Sequence, residues 1–402
     1  MSYKFSQATG RTKRSEIREL LKWTRKPSVI SFGGGLPDAS LFPTEEFAAI
    51  SREVLEKKGY LALQYGTTEG ENEFLDAISA HMVSFGDQVG RENLCVTTSS
   101  QQGLDLMAHI FISEGTPIVL ELPSYLGAIQ TFQRNGADMH GIPLDENGIR
   151  LDLLEETLVK QQRQQRLPAF IYVIPDFQNP SGINMSVERR KGLLALARRF
   201  DIPLIEDSPY REMNFSGNVL PSLWSLAEGK GVIQLKTFSK MLLPGMRVGW
   251  IAAEPEVIEQ VVKVKQTTDL CTSSFNQLIL ASFLNQGKMR QVINRAIGLY
   301  RPKKDAMVSA LAKYMPRGVT WSKPDGGMFL WVVLPENLDS NDLFMTAIEH
   351  NVAYVTGRPF HCDGSGASTL RLNYSFPSLE NIETGISFLG QAVAEHLDRK
   401  KA

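Results

Sequence analysis

Between residues 93 and 252 the chain alternates short apolar, β-branched runs with longer segments whose apolar residues recur at helical spacing. This alternation of strand and helix predicts an α/β domain with a mostly parallel sheet of about seven strands, sandwiched by helices. The predicted strands cover residues 93–98, 118–121, 170–174, 203–206, 232–237 and 248–252, and residues 187–200 form one of the predicted helices.

The pattern changes after residue 253. Long helical periodicities cover residues 253–268 and 275–315, and short strands with one helix follow up to residue 376, ahead of a last helix from Ser378. We therefore predict a smaller second α+β domain. The predicted division is an N-terminal segment (1–45) that packs with the small domain and the site, a large domain (46–290) and a small C-terminal domain (291–402).

Polar turns follow the predicted strands of the large domain. In open α/β sheets, ligand sites gather at the carboxyl ends of the strands. Several polar turns at the same edge therefore predict one shared site, although each turn alone could be an ordinary connection. The turns are residues 99–101, 123–125, 179–182, 207–210 and 237–240.

The stretch 231–250 carries the clearest chemical signal. Its apolar run ends in a turn with hydroxyls at Thr237 and Ser239 and an amine at Lys240, and Arg247 follows. Most lysines are solvated surface residues, but an apolar strand leads into this one. Burial lowers the proton affinity of an amine and favours attack on an aldehyde, while hydroxyls and a guanidinium suit a phosphate. Pyridoxal phosphate carries both of these groups.

Three further side chains lie at neighbouring strand ends. Asp207 could cap a turn or pair with a protonated pyridine nitrogen, which would keep the ring an electron sink. Glu206 precedes it and should point to the other face of the sheet. Tyr210 and Asn179 could hydrogen-bond the ring oxygen of the cofactor, although Asn, Pro and Gly at 179–182 also make a plain turn. The Asn179–Pro180 bond is a candidate cis peptide.

Composition and charge exclude several other classes of protein. The formal net charge is −1, so no global attraction to nucleic acid or to an anionic membrane is expected. The cysteines (Cys95, Cys271 and Cys362) form no CxxC pair, and the histidines show no metal-binding spacing, which argues against a disulfide framework or a metal site. No signal peptide or long uncharged apolar stretch is evident. We expect a soluble, cytoplasmic protein.

Seven motifs follow one another along the chain: TSSQQGLDL, LELPSY, DFQNPSG, IEDSPY, KTFSKMLLPGMRVGW, DGGMFLW and LRLNYSFPS. Taken in order, these motifs resemble the fold-type I pyridoxal-phosphate aminotransferases, and in particular the subgroup with 2-aminoadipate and kynurenine aminotransferases. The resemblance extends from about Ser15 to the C-terminus. The ordered set is specific, whereas FSK or NPSG alone would mean little.

The resemblance implies a role for each matching cofactor residue. Lys240 would form the Schiff base and shuttle the proton, Asp207 would pair with the pyridine nitrogen, and Tyr125 would stack on the ring. Asn179 and Tyr210 would hold the ring oxygen. The residues expected around the phosphate are Ser100, Gln101, Thr237, Ser239 and Arg247.

The resemblance also implies substrates and a partner. Arg371 would clamp the α-carboxylate of an amino acid or a 2-oxo acid, and Gly35 would lie against the substrate. Asn179 would contribute to substrate binding as well. Tyr65 would reach the phosphate of a second subunit, so a homodimer with shared sites is implied. Arg18 matches a position that relatives can use on the distal part of the substrate, with a surface role as the alternative.

Two residues depart from the pattern of these relatives. They usually have glycine where Ser99 stands, so the backbone of that turn is expected to differ slightly. Thr237 replaces the more usual serine and keeps the hydroxyl.

The expected activity is a ping-pong transamination between an L-amino acid and a 2-oxo acid such as 2-oxoglutarate. The donor could be 2-aminoadipate, glutamate, or an aromatic or large aliphatic amino acid. A lyase or decarboxylase with the same cofactor is the alternative. A non-enzymatic regulator on this fold needs a winged-helix domain ahead of the aminotransferase-like region, which here starts within the first few dozen residues. An inactive binding protein is disfavoured because Lys240, Asp207, Tyr210 and Arg371 are all present.

Overall fold

The computed structural model describes residues 2–12 and 28–399. Its centre is an eight-stranded sheet with the strand order β2-β9-β8-β7-β6-β3-β4-β5. The strands are β2 (Leu94–Thr97), β3 (Pro117–Leu122), β4 (Asp138–Asp145), β5 (Gly148–Ile149), β6 (Ile171–Val173), β7 (Leu204–Asp207), β8 (Val232–Thr237) and β9 (Gly249–Ala252).

The sheet is parallel in its middle and antiparallel towards its edges. Strands β4, β3, β6, β7 and β8 pair in parallel, whereas β9 is antiparallel to both β8 and β2. Because β9 is antiparallel to both of its neighbours, β2 and β8 run in the same direction. The carboxyl ends of β2, β3, β6, β7 and β8 therefore share one edge of the sheet. The predicted polar turn 99–101 follows β2, and the other four predicted turns follow the parallel strands β3, β6, β7 and β8.

Strand residues alternate between two hydrophobic cores, one on each face of the sheet. Ile118 and Leu120 belong to one core, and Val119 between them belongs to the other. Burial on both faces is what makes these strands almost continuously apolar. The helices in this part of the chain are Thr44–Ala62, Asn72–Ser84, Ser99–Phe111, Leu126–Arg134, Leu151–Arg163, Val187–Phe200, Leu223–Leu226, Pro255–Thr268 and Ser274–Asn285.

A smaller antiparallel sheet follows, with the order β10-β11-β14-β13. Its strands are β10 (Thr320–Trp321), β11 (Phe329–Val333), β13 (Val355–Thr356) and β14 (Thr369–Asn373), and its helices are Met289–Tyr314, Ser340–Glu349 and Leu379–Arg399. Near the N-terminus, β1 (Ile30–Ser31) pairs in parallel with β12 (Val352–Ala353). The short helix Gln7–Arg11 and four 3-10 turns complete the described elements: Ala39–Leu41, Arg91–Asn93, Pro244–Met246 and Arg358–Phe360.

The predicted fold class is confirmed, although the sheet contains two strands, β4 and β5, that were not among the six predicted. The two-residue strand β5 makes an eighth strand, because residues 143–150 form a hairpin that the sequence pattern does not signal. The cis form of Asn179–Pro180 is confirmed, and Leu122–Pro123 is cis as well. The domain boundaries remain a prediction. No helix among residues 2–12 and 28–399 is both long enough and apolar enough to cross a bilayer.

Candidate active site

A cavity of about 370 Å³ opens at the carboxyl edge of the large sheet. Among the described residues, its lining contains every predicted site residue except Tyr65. The lining residues are Gly35, Leu36, Ser99, Ser100, Gln101, Tyr125, Ile174, Asn179, Asp207, Pro209, Tyr210, Thr237, Ser239, Lys240, Arg247, Phe329 and Arg371.

Lys240 extends into this cavity from the turn after β8. Its Nζ donates a 2.7 Å hydrogen bond to the carbonyl oxygen of Gly35. Burial lowers the pKa of the Lys240 amine to about 8, and the positive charges of Arg371 and Arg247 add to the shift. Both effects disfavour the charged ammonium. A substantial fraction of this amine is therefore neutral, and able to act as a nucleophile, just above neutral pH.

Asp207 ends β7 and is only half satisfied. The hydroxyl of Tyr172 donates to its Oδ2 at 2.7 Å, while its Oδ1 is buried with no hydrogen-bond partner. Burial raises the pKa of the Asp207 carboxyl to about 6. By contrast, Glu206 accepts the amide hydrogens of Leu223 and Trp224 at 3.0 Å, so it points away from the cavity as the strand alternation predicts. A buried carboxylate oxygen without a partner favours a cationic or hydrogen-bonding ligand.

Hydroxyls and one guanidinium form the opposite end of the cavity. The Oγ1 of Thr237 donates to the Oγ of Ser239 at 2.9 Å, and the Nη1 of Arg247 donates to the same Ser239 oxygen at 3.4 Å. The Nη2 of Arg247 donates to the hydroxyl of Ser99. Ser100 and Gln101 lie in the first turn of the helix Ser99–Phe111, whose N-terminus favours an anion.

Arg371 forms a third wall, carried by the inner strand β14 of the small sheet. Its Nη1 donates to Oδ1 of Asn179 at 2.9 Å, its Nη2 donates to the carbonyl of Gly33 at 3.2 Å, and its Nε is buried without a partner. The guanidinium carbon lies 4.1 Å from the ring centroid of Phe329 and 5.0 Å from that of Phe360. Burial lowers the pKa of Arg371 to about 10.

Two tyrosines and the amide of Asn179 lie between these walls. The Nδ2 of Asn179 and the hydroxyl of Tyr210 are 3.5 Å apart, a long hydrogen bond that leaves room for a common acceptor. The ring of Tyr210 packs edge-on against Phe329. Burial raises the pKa of both Tyr210 and Tyr125 above the ordinary value, so both hydroxyls remain protonated donors at neutral pH.

Tyr65 is the described predicted residue that does not line this cavity. Tyr65 is 78% exposed and lines a separate surface cavity with Leu63 and Phe275. Arg18 lies outside the described residues.

The comparisons with known proteins decide the family. The model of the aminotransferase class I and II family matches residues 34–389. The chain is 41% identical to aromatic-amino-acid aminotransferase 1 of Thermococcus litoralis, over 98% of this chain and 95% of that one. The chain belongs to the class I and II aminotransferases.

Solved structures agree with this family and identify the cofactor. The multiple substrate aminotransferase of Thermococcus profundus superposes with a TM-score of 0.95 at 41% identity, covering 98% of both chains. The α-aminoadipate aminotransferase of Thermus thermophilus, solved with N-(5'-phosphopyridoxyl)-L-leucine, gives a TM-score of 0.90 at 40% identity over 98% of both chains. Our chain is a pyridoxal-phosphate-dependent aminotransferase of the 2-aminoadipate and kynurenine subgroup.

The residues of this aminotransferase fit that cofactor. The unpartnered Oδ1 of Asp207 can accept a hydrogen bond from a protonated ring nitrogen. The cluster of Ser99, Ser239 and Arg247 offers hydroxyls and positive charge to a phosphate. The weakly basic amine of Lys240 suits an aldehyde.

Sequence reasoning gave no role to Tyr172 or Phe329, and it did not indicate which predicted residues Phe360 and Ser99 contact. Tyr172 follows an ordinary apolar strand pattern, yet its hydroxyl is the partner of Asp207. Phe329 and Phe360 enclose Arg371 from distant segments, and no local pattern indicates this. Ser99 belongs to the predicted polar turn 99–101 and departs from the family pattern, but its contact with Arg247 was not predicted. Its φ of 67° lies in the left-handed region, which glycine favours. The expected difference between the backbone of this turn and that of a glycine-containing turn stays a prediction.

Proposed function

We propose that this aminotransferase moves an amino group between an L-amino acid and a 2-oxo acid in two half-reactions, with Lys240 as nucleophile and proton carrier. The observation that carries the proposal is the amine of Lys240, with a pKa of about 8, in one cavity with Asp207 and Arg371. Pyridoxal phosphate, when bound, supplies an aldehyde and a ring that accepts the electron pair left when the Cα–H bond breaks.

The cavity residues would hold this cofactor by its separate groups. Asp207 would accept from the ring nitrogen, Asn179 and Tyr210 would donate to the ring oxygen, and Tyr125 would pack on the ring face. The phosphate would bind Arg247 together with the hydroxyls of Ser100, Thr237 and Ser239 and the amide region of Gln101. Lys240 would release Gly35 when it bonds to the aldehyde, and once freed by the substrate it would carry the Cα proton.

Arg371 would bind the α-carboxylate of the substrate. A guanidinium presents parallel donors that match two carboxylate oxygens, which an ammonium cannot do. Two of the nitrogens of Arg371 contact Asn179 and Gly33, and its Nε has no partner. Enclosure by Phe329 and Phe360 keeps water away and strengthens the attraction for the anion.

The donor is expected to be an aromatic or large aliphatic amino acid, 2-aminoadipate or glutamate. Leu36 and Phe329 give the cavity an apolar surface beside Gly35. Similar proteins are named for aromatic amino acids, 2-aminoadipate and kynurenine. Arg18 would select donors with a distal carboxylate.

A homodimer with shared sites is the proposed assembly. Three large side chains in one short segment are strongly exposed: Tyr60 at 84%, Leu63 at 75% and Tyr65 at 78%. Such a patch is typical of an interface. Mixing Lys240→Ala with Tyr65→Phe protein tests the shared site, because a hybrid dimer would contain one site with neither defect. Activity above that of either variant alone is expected, and no gain from verified hybrids would rule out a role for Tyr65 across subunits.

The activity itself is tested with single half-reactions. Holoenzyme mixed with an amino acid alone should yield one equivalent of the 2-oxo acid and the amine form of the cofactor. A panel of donors with 2-oxoglutarate, pyruvate and phenylpyruvate then defines the substrates. Carbon dioxide, or ammonia in excess of enzyme, would instead identify the decarboxylase or lyase alternative.

A further inference from the structure

Ser99 has an unusual backbone conformation at the edge of the cavity. It is the first residue of the helix Ser99–Phe111, and its φ is 67°. This left-handed region is disfavoured for residues with a Cβ atom. The bend is also closely packed, because a Cβ atom at Gly249 would lie 2.8 Å from the nitrogen of Ser100. A buried, left-handed serine at a ligand cavity calls for a functional explanation.

The hydroxyl of Ser99 does not act as a helix cap. A capping serine accepts a hydrogen bond from an amide two or three residues later, and the N-cap position here is Thr98. The Oγ of Ser99 instead accepts a hydrogen bond from Nη2 of Arg247. The side chain is directed towards the proposed phosphate anchors rather than towards its own helix.

Arg247 is thereby held between hydroxyls from two different turns. Its Nη1 donates to the Oγ of Ser239 at 3.4 Å and its Nη2 donates to Ser99. A serine hydroxyl has one proton and can also accept. While Ser99 accepts from Arg247, its proton remains free for an anion. The hydroxyl proton of Ser99 and the fixed guanidinium of Arg247 therefore lie on the same side of the cavity.

We propose that Ser99 is a positioning and phosphate-binding residue of this chain: it fixes the guanidinium of Arg247 and donates its own proton to the cofactor phosphate. The inference rests on the proposed placement of the phosphate at this end of the cavity. The left-handed backbone is the structural cost of presenting the hydroxyl there.

Two substitutions distinguish the effect of the Ser99 hydroxyl from the effect of its left-handed backbone. Ser99→Ala removes the hydroxyl and keeps a Cβ atom in the left-handed region, whereas Ser99→Gly removes both. Each should weaken pyridoxal phosphate binding to the cofactor-free protein by about tenfold, as expected for loss of a hydrogen bond to a charged group. Ser99→Gly should also raise the Tm of the cofactor-free protein by about 1–2 °C, which Ser99→Ala should not do.

Gln165→Gly is the matched control. Gln165 is an exposed residue with a φ of 55°, and it is not among the residues that line the cavity. The Gln165→Gly substitution should raise the Tm about as much as Ser99→Gly does and should leave cofactor affinity unchanged. In an Arg247→Met background, Ser99→Ala should have a smaller effect on affinity than in the parent, because part of its action passes through Arg247.

Cofactor titration by absorbance and fluorescence, with the phosphorus-31 shift of the bound phosphate, provides readouts besides turnover. Parent-like affinity and phosphorus shift in both serine variants would overturn the inference while the proposed function stands. If the parent protein does not bind the cofactor through Lys240, the proposed function fails first. Weakened binding in both variants, with a rise in Tm only for Ser99→Gly, supports the role of Ser99.

Discussion

The two ends of the cavity are built in different ways. The phosphate end comes mainly from one continuous stretch, with Thr237, Ser239 and Arg247 within eleven residues of sequence, and one helix start adds to it. The carboxylate end is assembled around Arg371 from segments far apart in the chain, including Gly33, Asn179 and Phe329. Local sequence can therefore specify most of the phosphate end, whereas the surroundings of Arg371 form only in the folded chain.

The ends also differ in how their charges are satisfied. At the phosphate end, hydroxyls bridge to one another and to Arg247 before any ligand arrives. At the other end, Arg371 is enclosed by aromatic rings and its pKa falls to about 10 because of burial. A desolvated guanidinium gains more from a carboxylate than an exposed one. Substitutions at the two ends should therefore affect different steps.

The largest effect is expected from Arg371→Lys. Loss of bidentate binding should lower kcat/KM for all amino donors by about 100- to 1,000-fold, because hydrogen bonds between charged groups are strong. Cofactor affinity should stay near that of the parent, since Arg371 lies away from the phosphate end. Steady-state kinetics with a cofactor titration measures both. An equal loss of cofactor affinity would show that the two ends are not independent.

Asp207→Asn should lower kcat by about 100-fold, because a neutral amide stabilises a protonated ring nitrogen less well than a carboxylate. The stability of the cofactor-free protein should instead increase in this variant. Burial raises the pKa of Asp207 to about 6 in the folded chain, so its stabilising contribution is present below pH 4 and is lost as the pH rises through 6.

The variant avoids this loss and should be more stable than the cofactor-free parent by about 3 kcal/mol at pH 8, with little difference at pH 4. Denaturant unfolding at both pH values measures this. A variant less stable than the parent at pH 8 would contradict the account of Asp207.

Arg247→Lys provides the counterpart of the Arg371 substitution at the phosphate end. The ammonium keeps the charge but cannot contact the hydroxyls of Ser99 and Ser239 together. Cofactor affinity should fall by about tenfold, while the KM for amino donors in cofactor-saturated enzyme changes little. The same titration and kinetic assays apply. A large rise in donor KM with unchanged cofactor affinity would reverse the assignment of the two ends.

Tyr172→Phe should have the smallest effect. It removes the hydrogen bond to Oδ2 of Asp207, which helps to keep that carboxyl charged. The pKa of Asp207 should rise further, and kcat should fall by about three- to tenfold. A pH profile of kcat records the shift. No change in the profile would mean that this hydrogen bond does not tune the carboxyl.

Much of the site could be predicted because its key residues end strands of one parallel sheet. The alternation of elements places Lys240, Asp207 and Asn179 at one edge, and the cavity brings them together. The partners Tyr172, Phe329 and Phe360 could not be predicted in the same way, because hydrophobic patterns do not specify which polar atom or ring meets another across the fold. Strands β4 and β5 were missed for a related reason: glycine, proline and aspartates interrupt the apolar pattern of β4, and the two residues of β5 are too few to show a period.

Reduction of the holoenzyme with borohydride tests the central claim most directly. Peptide mass spectrometry should find the phosphopyridoxyl label on Lys240, and a good amino donor added before reduction should prevent that labelling. Lys236 is a buried lysine whose Nζ donates a 2.7 Å hydrogen bond to Oε1 of Glu212. Label on Lys236 would contradict the assignment, as would holoenzyme with no labelled lysine.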